Sequence, residues 1–250
     1  MYPIPLLLLP GTCNDVHLWA HQSQALADIA ECHVADLTHH DNIADMADAA
    51  VSALPPGPFA MAGFSLGGYV ALEVMRRHGA RVCGLALVNS SARAEHSAAK
   101  PGREQMMASA RSDFAAVTAR LVQFMLPAAR HGDMELVDGI RAMMARVGAD
   151  VFIRQSRAVT DRADSRALLP AITCPALVIS GSDDQVAPAR FGEEMATAMA
   201  HARWHVLADT GHFAPLEQPQ AVTQHMREWL ERAAGHARAP GTSATAVEHR

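Results

Sequence analysis

Residues 63–68 read Gly-Phe-Ser-Leu-Gly-Gly, placed between the apolar run Pro58–Ala62 and the helix-like stretch Tyr69–Arg76. A surface turn needs one glycine, or two. Three glycines around one hydroxyl imply a special demand on the backbone. A glycine two before and two after a serine, where a strand turns into a helix, is the G-x-S-x-G pattern that exposes a nucleophilic hydroxyl on a strained turn. Side chains at 63 and 67 would collide with neighbouring chain. The helix that starts there turns its first amides toward any negative charge developing on a reacting group. The pattern also arises by chance in glycine-rich loops, so its setting has to carry the reading.

That setting is regular. Working outward from Ser65, short apolar runs alternate with amphipathic segments. Strands are predicted at Ile4–Leu9, Cys32–Leu37, Phe59–Phe64, Val82–Asn89, Ala176–Ser180 and Ala202–Leu207. Helices are predicted at His17–Ile29, Ile43–Leu54, from Leu66 to about His78, and at Ala189–Ala200 and Pro219–Ala234. Alternation of this kind implies right-handed βαβ crossovers and a parallel sheet covered on both faces. Between Ser91 and Leu169 the strands stop, and the chain reads as several helices rich in Met and Arg. The predicted organisation is thus a core of residues 1–90 and 170–235, a helical insertion at 91–169 after the fourth strand, and a poorly ordered small, polar tail at 236–250.

A serine hydroxyl is a weak nucleophile at neutral pH and needs a base, usually a histidine oriented by a carboxylate. In this arrangement the chain order is Ser, then Asp or Glu, then His. Two carboxylates, Asp183 and Asp184, follow the strand Ala176–Ser180, and His212 follows the strand ending at Leu207. All lie at predicted carboxyl ends of strands, the same edge as Ser65. Position alone leaves both aspartates open.

Here the chain resembles the α/β-hydrolase fold superfamily, in the branch with a helical cap. The resemblance covers roughly residues 3–234 and rests on LLLLPGTCNDVHLW, GFSLGG, PALVISGSDDQVAP and DTGHFAPLEQP. It implies Asp184 as the acid, because Gly181, Asp184 and Pro188 match the family's G-x-x-D-x-x-x-P, and it implies His212 as the base. The oxyanion hole should combine the amide of Leu66, the residue after the nucleophile, with one from the loop after the first strand. That loop usually begins His-Gly-x; this chain has Pro10-Gly11-Thr12, which gives the role to Thr12 by position, with Cys13 as the fallback donor. The family's two opening antiparallel strands have no counterpart, so a sheet of about six strands, all parallel, is expected. An edge uncovered by that loss would be open to a second copy of the chain, as in a homodimer.

The resemblance implies a serine hydrolase acting on a small or medium-sized carboxylic ester, with enol-lactone and carbon–carbon bond hydrolysis as rival chemistries and a non-catalytic ligand receptor as the rival of another class. Phe213, where carbon–carbon hydrolases often carry Trp after the histidine, weighs against the second chemistry. Ser65 excludes dehalogenases and epoxide hydrolases, which need an aspartate there. Phe114, Phe124, Met125, Met143, Met144 and Phe152 are candidates for an apolar substrate pocket, or for packing that merely joins the cap helices. Cys13 and Phe213, beside the site residues, join the candidate substrate contacts. An inward-facing cap arginine, Arg154 and Arg157 among them, would favour an anionic substrate.

The remaining features bound the class. A net charge of −5 offers no basic footprint for nucleic acid. Four scattered cysteines without C-x-x-C spacing point to reduced thiols and away from a disulfide framework. The opening MYPIPLLLLPG lacks a positive flank and is ended by Pro-Gly, which argues against a signal peptide. No apolar run is long enough to span a bilayer. The expectation is a cytoplasmic enzyme or binding protein. His17/His21 and His201/His205 have i, i+4 spacing but no third ligand, so no metal site is expected. Ser97-Ala-Ala-Lys100 matches S-x-x-K formally, without its companion motifs. No cofactor motif is present.

Overall fold

The computed structural model describes residues 3–237. Six strands form one parallel sheet in the order β2-β1-β3-β4-β5-β6. They are β1 (Ile4–Leu9), β2 (Ala30–Val34), β3 (Phe59–Phe64), β4 (Val82–Val88), β5 (Ala176–Gly181) and β6 (Ala202–Leu207). Every residue of β3, β4 and β5 is buried, whereas the edge strands β2 and β6 are partly open. Strands covered on both faces must be apolar throughout, which is why the central three read as continuous runs.

Alternate side chains feed two cores. Leu6, Leu8, Ala62, Phe64 and Ile179 face one, and Leu7, Leu9, Met61, Leu87 and Val178 the other. The first is covered by Leu18, Trp19 and Leu26 on either side of α1 (Ala20–Ala25), by α10 (Pro219–Ala237) and by the helices that follow β4; the second by α2 (Ile43–Ser52), α3 (Leu66–His78) and α8 (Ala189–Ala198), with Ala158 and Val159 from the last α-helix before β5. Between β4 and β5 the chain forms α4 (Lys100–Ser112), α5 (Phe114–Met125), α6 (Met134–Val147) and α7 (Ala149–Thr160). Asp113 and Asp133 cap α5 and α6 by accepting the amides of Ala116 and Leu136.

Several boundaries differ from the sequence reading by a residue or two, and three elements differ by more. The expected helix His17–Ile29 is a 3-10 turn at Val16–Trp19 followed by the short α1, because Ala30 is already paired with Ile4 and the chain must turn before it. For the same reason the second strand lies at Ala30–Val34 rather than Cys32–Leu37. At the other end α10 runs to Ala237, so His236 and Ala237 are helical; the rest of the expected tail, 238–250, lies outside the described residues. Among the described residues no helix is long and apolar enough to cross a membrane.

Strand order reverses between β1 and β3, since β2 lies on one side of β1 and the later strands on the other. In open α/β sheets the crevice at such a point, outside the carboxyl ends of the strands, is where ligands bind. The loops carrying Thr12 and Ser65 leave β1 and β3 at this crevice.

Candidate active site

Ser65 has φ 51° and ψ −113°, outside the ordinary regions for an L-residue. Two close approaches hold it there. A Cβ on Gly63 would come within 2.2 Å of the Gly67 carbonyl oxygen, and one on Gly67 within 2.1 Å of the Leu9 carbonyl oxygen. The turn is therefore packed backbone against backbone, on itself and on the exit of β1. The Ser65 amide donates to the Val88 carbonyl, and Ser90 Oγ donates to the Ser65 carbonyl.

His212 Nε2 lies 2.9 Å from Ser65 Oγ, and its Nδ1 lies 2.8 Å from Asp184 Oδ2. Both His212 and Asp184 are almost wholly buried. Asp183 is exposed and bonds the neighbouring Ser182 hydroxyl, so the geometry joins Asp184 to the histidine. Burial works to raise the Asp184 carboxyl, but the His212 charge and hydrogen bond, the Ala187 amide and Asn89 together hold it below the ordinary aspartate range. Its Oδ1 accepts the amides of Val186 and Ala187.

Two further residues orient this line, and neither is marked in the sequence reading. Asn89, at φ 46° just past β4, donates from Nδ2 to Asp184 Oδ2 at 2.8 Å and to the Gly211 carbonyl at 3.1 Å. Glu217, in the short helix α9 (Ala214–Glu217), accepts the Gly211 and Phe213 amides with its two carboxylate oxygens, both at 2.9 Å. Burial pushes the Glu217 carboxyl up, against the pull of those two amides. The His212 amide itself donates to the Met125 carbonyl at 2.7 Å, which ties the histidine loop to the end of α5. Asn89 follows an apolar strand at the same edge as the other site residues, and that position was the signal available. Glu217 carries none beyond its place in GHFAPLEQP.

A cavity of about 180 Å³ opens over Ser65 and His212. Phe124, Met125, Met144 and Phe213 line it, as does Thr12. Met106, Leu121 and Phe152 complete the apolar wall. Phe114 instead packs against Phe152, with ring centroids 5.7 Å apart, and Met143 lies on the other side of α6. Cys13 is a correction. It is fully buried and absent from the cavity wall. Its amide donates to Gln155 Oε1 at 2.8 Å, which removes it as the fallback oxyanion donor. Burial pushes its thiol up to about 12, so it stays protonated. Gln155 also donates from Nε2 to the Leu37 carbonyl, so that α7 ties the loop after β1 to the loop after β2. Leu66 is the first residue of α3, where amides have no acceptor within the helix.

The other candidates lie elsewhere. Arg154 donates to the Thr38 carbonyl and Arg157 is exposed. His17 pairs with Asp15, and His21 bonds the Thr223 hydroxyl. Ser97 and Lys100 are both exposed.

A strained serine at a strand–helix turn, in line with a buried histidine and aspartate at the carboxyl edge of a parallel sheet, defines a class. Residues 4–219 match the family model of the alpha/beta hydrolase fold, and the chain belongs to that family. A pimeloyl-[acyl-carrier protein] methyl ester esterase of Neisseria meningitidis serogroup C is 31% identical over 188 residues, covering 73% of each chain. Among solved structures, a malate-bound thermophilic esterase from Thermogutta terrifontis matches with a TM-score of 0.84 and 28% identity, over 92% of this chain and 90% of that one. The enol-lactonase of Burkholderia xenovorans LB400 matches with a TM-score of 0.81 at 24% identity, over 92% of both chains, a likeness of fold.

Proposed function

We propose that this chain hydrolyses carboxylic esters of small or medium-sized substrates through Ser65, His212 and Asp184. The observation that carries the reading is the continuous hydrogen-bonded line from Asp184 through His212 to Ser65 Oγ, ending at an apolar cavity. His212 Nε2 takes the hydroxyl proton as Ser65 Oγ attacks the ester carbonyl. The amides of Leu66 and Thr12 receive the resulting oxyanion. His212 then gives its proton to the departing alcohol, leaving an acyl group on Ser65. Water, deprotonated by His212, attacks that acyl group and releases the acid. Asp184 keeps the Nδ1 proton of His212 in place and stabilises the imidazolium.

The cavity volume falls below the range of roughly 300–1,000 Å³ typical of sites for drug-sized ligands, which fits a short or medium acyl chain. The esterase names of the Neisseria and Thermogutta relatives support ester over carbon–carbon cleavage.

The test is turnover of p-nitrophenyl acetate and butyrate, with lactones in parallel, by wild type and Ser65→Ala. The expected result is a loss of roughly 10⁴-fold or more in kcat with folding intact. A folded Ser65→Ala protein that hydrolyses as before would end the reading. Tight ligand binding without any turnover by wild type would make the chain a binding protein on a hydrolase fold.

A further inference from the structure

The cavity wall is mostly apolar, with Thr12, Asn14, Ser65, Tyr69 and His212 as its uncharged polar members. Arg103, on α4, is the one lining residue with a permanent charge. Its Nη2 donates to Glu95 Oε2 at 2.9 Å, and the same oxygen accepts Arg162 Nη1 at 2.5 Å. Glu95 is nearly buried, as is Arg162. One carboxylate thus serves two guanidinium groups, leaving one positive charge uncompensated beside the cavity. Arg162 has its needs met: it also donates to the carbonyls of Arg93 and Val159 and stacks on the Tyr69 ring at 4.3 Å. Arg103 does not. Its Nη1 has no hydrogen-bond partner among the described residues and is not shut off from solvent, and 28% of the side chain is exposed. A planar fork with free donors, set in a mostly apolar wall, fits a carboxylate.

Nothing else lining the cavity would repel an anion. Asp184 is directed to His212 and Asn89 and does not reach the cavity wall. Tyr69 lines the cavity beside Arg103, and burial together with the Glu95 and Asp184 charges pushes its phenol up, so it stays neutral.

We propose that Arg103 forms an anion subsite at the wall of the cavity, and that the ester taken by Ser65 carries a carboxylate at the far end of its acyl chain. The proposal rests on the hydrolase reading above. It explains why a charged side chain stands in a mostly apolar acyl pocket while its neighbour Glu95 is already shared.

The test compares esters matched in length: p-nitrophenyl hydrogen adipate, with a terminal carboxylate, against neutral p-nitrophenyl hexanoate. Wild type should favour the adipate half-ester in kcat/KM. Arg103→Gln should lower the adipate-to-hexanoate ratio by roughly tenfold or more, the scale of one charge-assisted hydrogen bond, and Arg103→Lys should restore part of it. A binding measurement that needs no turnover accompanies it. Calorimetry on Ser65→Ala should detect adipate binding that is absent with 1,6-hexanediol and lost on adding Arg103→Gln. Equal turnover of the two esters by wild type would overturn the subsite, as would a fall in both esters by the same factor in Arg103→Gln, the mark of a structural tie to Glu95. If adipate binds through Arg103 while Ser65→Ala still hydrolyses, the hydrolase mechanism fails and the anion subsite stands.

Discussion

Beneath the cavity, the chain at Gly63–Gly68 has no room for a methyl group at any of its three glycines, and at Gly63 and Gly67 it is packed backbone on backbone. Above it, α4, α5 and α6 meet the same space with Met106, Met125 and Met144, unbranched side chains that reshape by rotation. In the proposed reaction the two sides hold one substrate but are built for different tasks. A reacting hydroxyl must stay within a few tenths of an ångström of its base, and rigid main chain supplies that. An acyl chain needs only to be kept from water, and flexible side chains suffice. Changes below should therefore cost rate or stability outright, and changes above should mainly re-sort substrates.

The largest expected effect below the cavity, after loss of Ser65 itself, comes from Asp184→Asn. Esterase kcat should fall roughly 10³- to 10⁴-fold, because the amide favours the wrong imidazole tautomer. The same variant carries a pH signature. Asp184 is held below the ordinary aspartate value of 3.8 in the folded chain, so the ionised group stabilises the fold above that pH, and the stabilisation drains away as pH falls through the lower folded value. Urea melts from pH 7 down to 3 should show the gap between wild type and Asp184→Asn narrowing at the acid end; a constant gap would mean that Asp184 is unperturbed.

Next comes Gly67→Ala. The added methyl would sit against the Leu9 and Pro10 carbonyls, and we expect a loss of about 1–3 kcal/mol together with reduced kcat, as the loop bearing Thr12 is pushed from Ser65. An unchanged melting temperature would show the turn to be softer than its contacts imply. Gln155→Ala leaves the buried Cys13 amide and Leu37 carbonyl without partners. It should cost about 1–3 kcal/mol in urea denaturation, with a matching drop in rate if the clamp holds the oxyanion loop.

The smallest change is Phe124→Ala, above the cavity. Its side chain is 49% exposed, so stability should shift by no more than about 1 kcal/mol, part of what a fully buried side chain contributes. Its trace should be a changed ranking of acyl chain lengths at near-constant kcat. A collapse of kcat for all esters would break the division between the two sides.

The fold was legible because the central strands are covered on both faces and must be apolar without interruption, while Gly-rich and Pro-containing turns separate them. Ser65 and Asp184 stood out for a related reason, since each follows a strand of that kind; His212 follows the partly open edge strand β6 and stood out by its place in DTGHFAPLEQP. Three features escaped. Asn89 lies just past its strand, in a left-handed conformation that sequence spacing does not encode. Glu217 and Gln155 act by bonding backbone groups of loops far from them in sequence, and a glutamate or glutamine on a helix reads as solvated surface. Cys13 was misjudged because proximity to Thr12 in sequence does not specify direction; its positive φ of 55° turns it into the core.

The bond from the His212 amide to the Met125 carbonyl bears on engineering. The helices after β4 invite exchange between relatives as a module that would bring a new specificity. Here the module ends one of its helices on the loop that presents His212, the proposed base, and Gly211 leaves that helix end just enough space, since a Cβ there would lie 2.4 Å from the same carbonyl. A transplanted cap would have to reproduce this junction to the ångström, or the recipient would gain a pocket and lose its proton carrier.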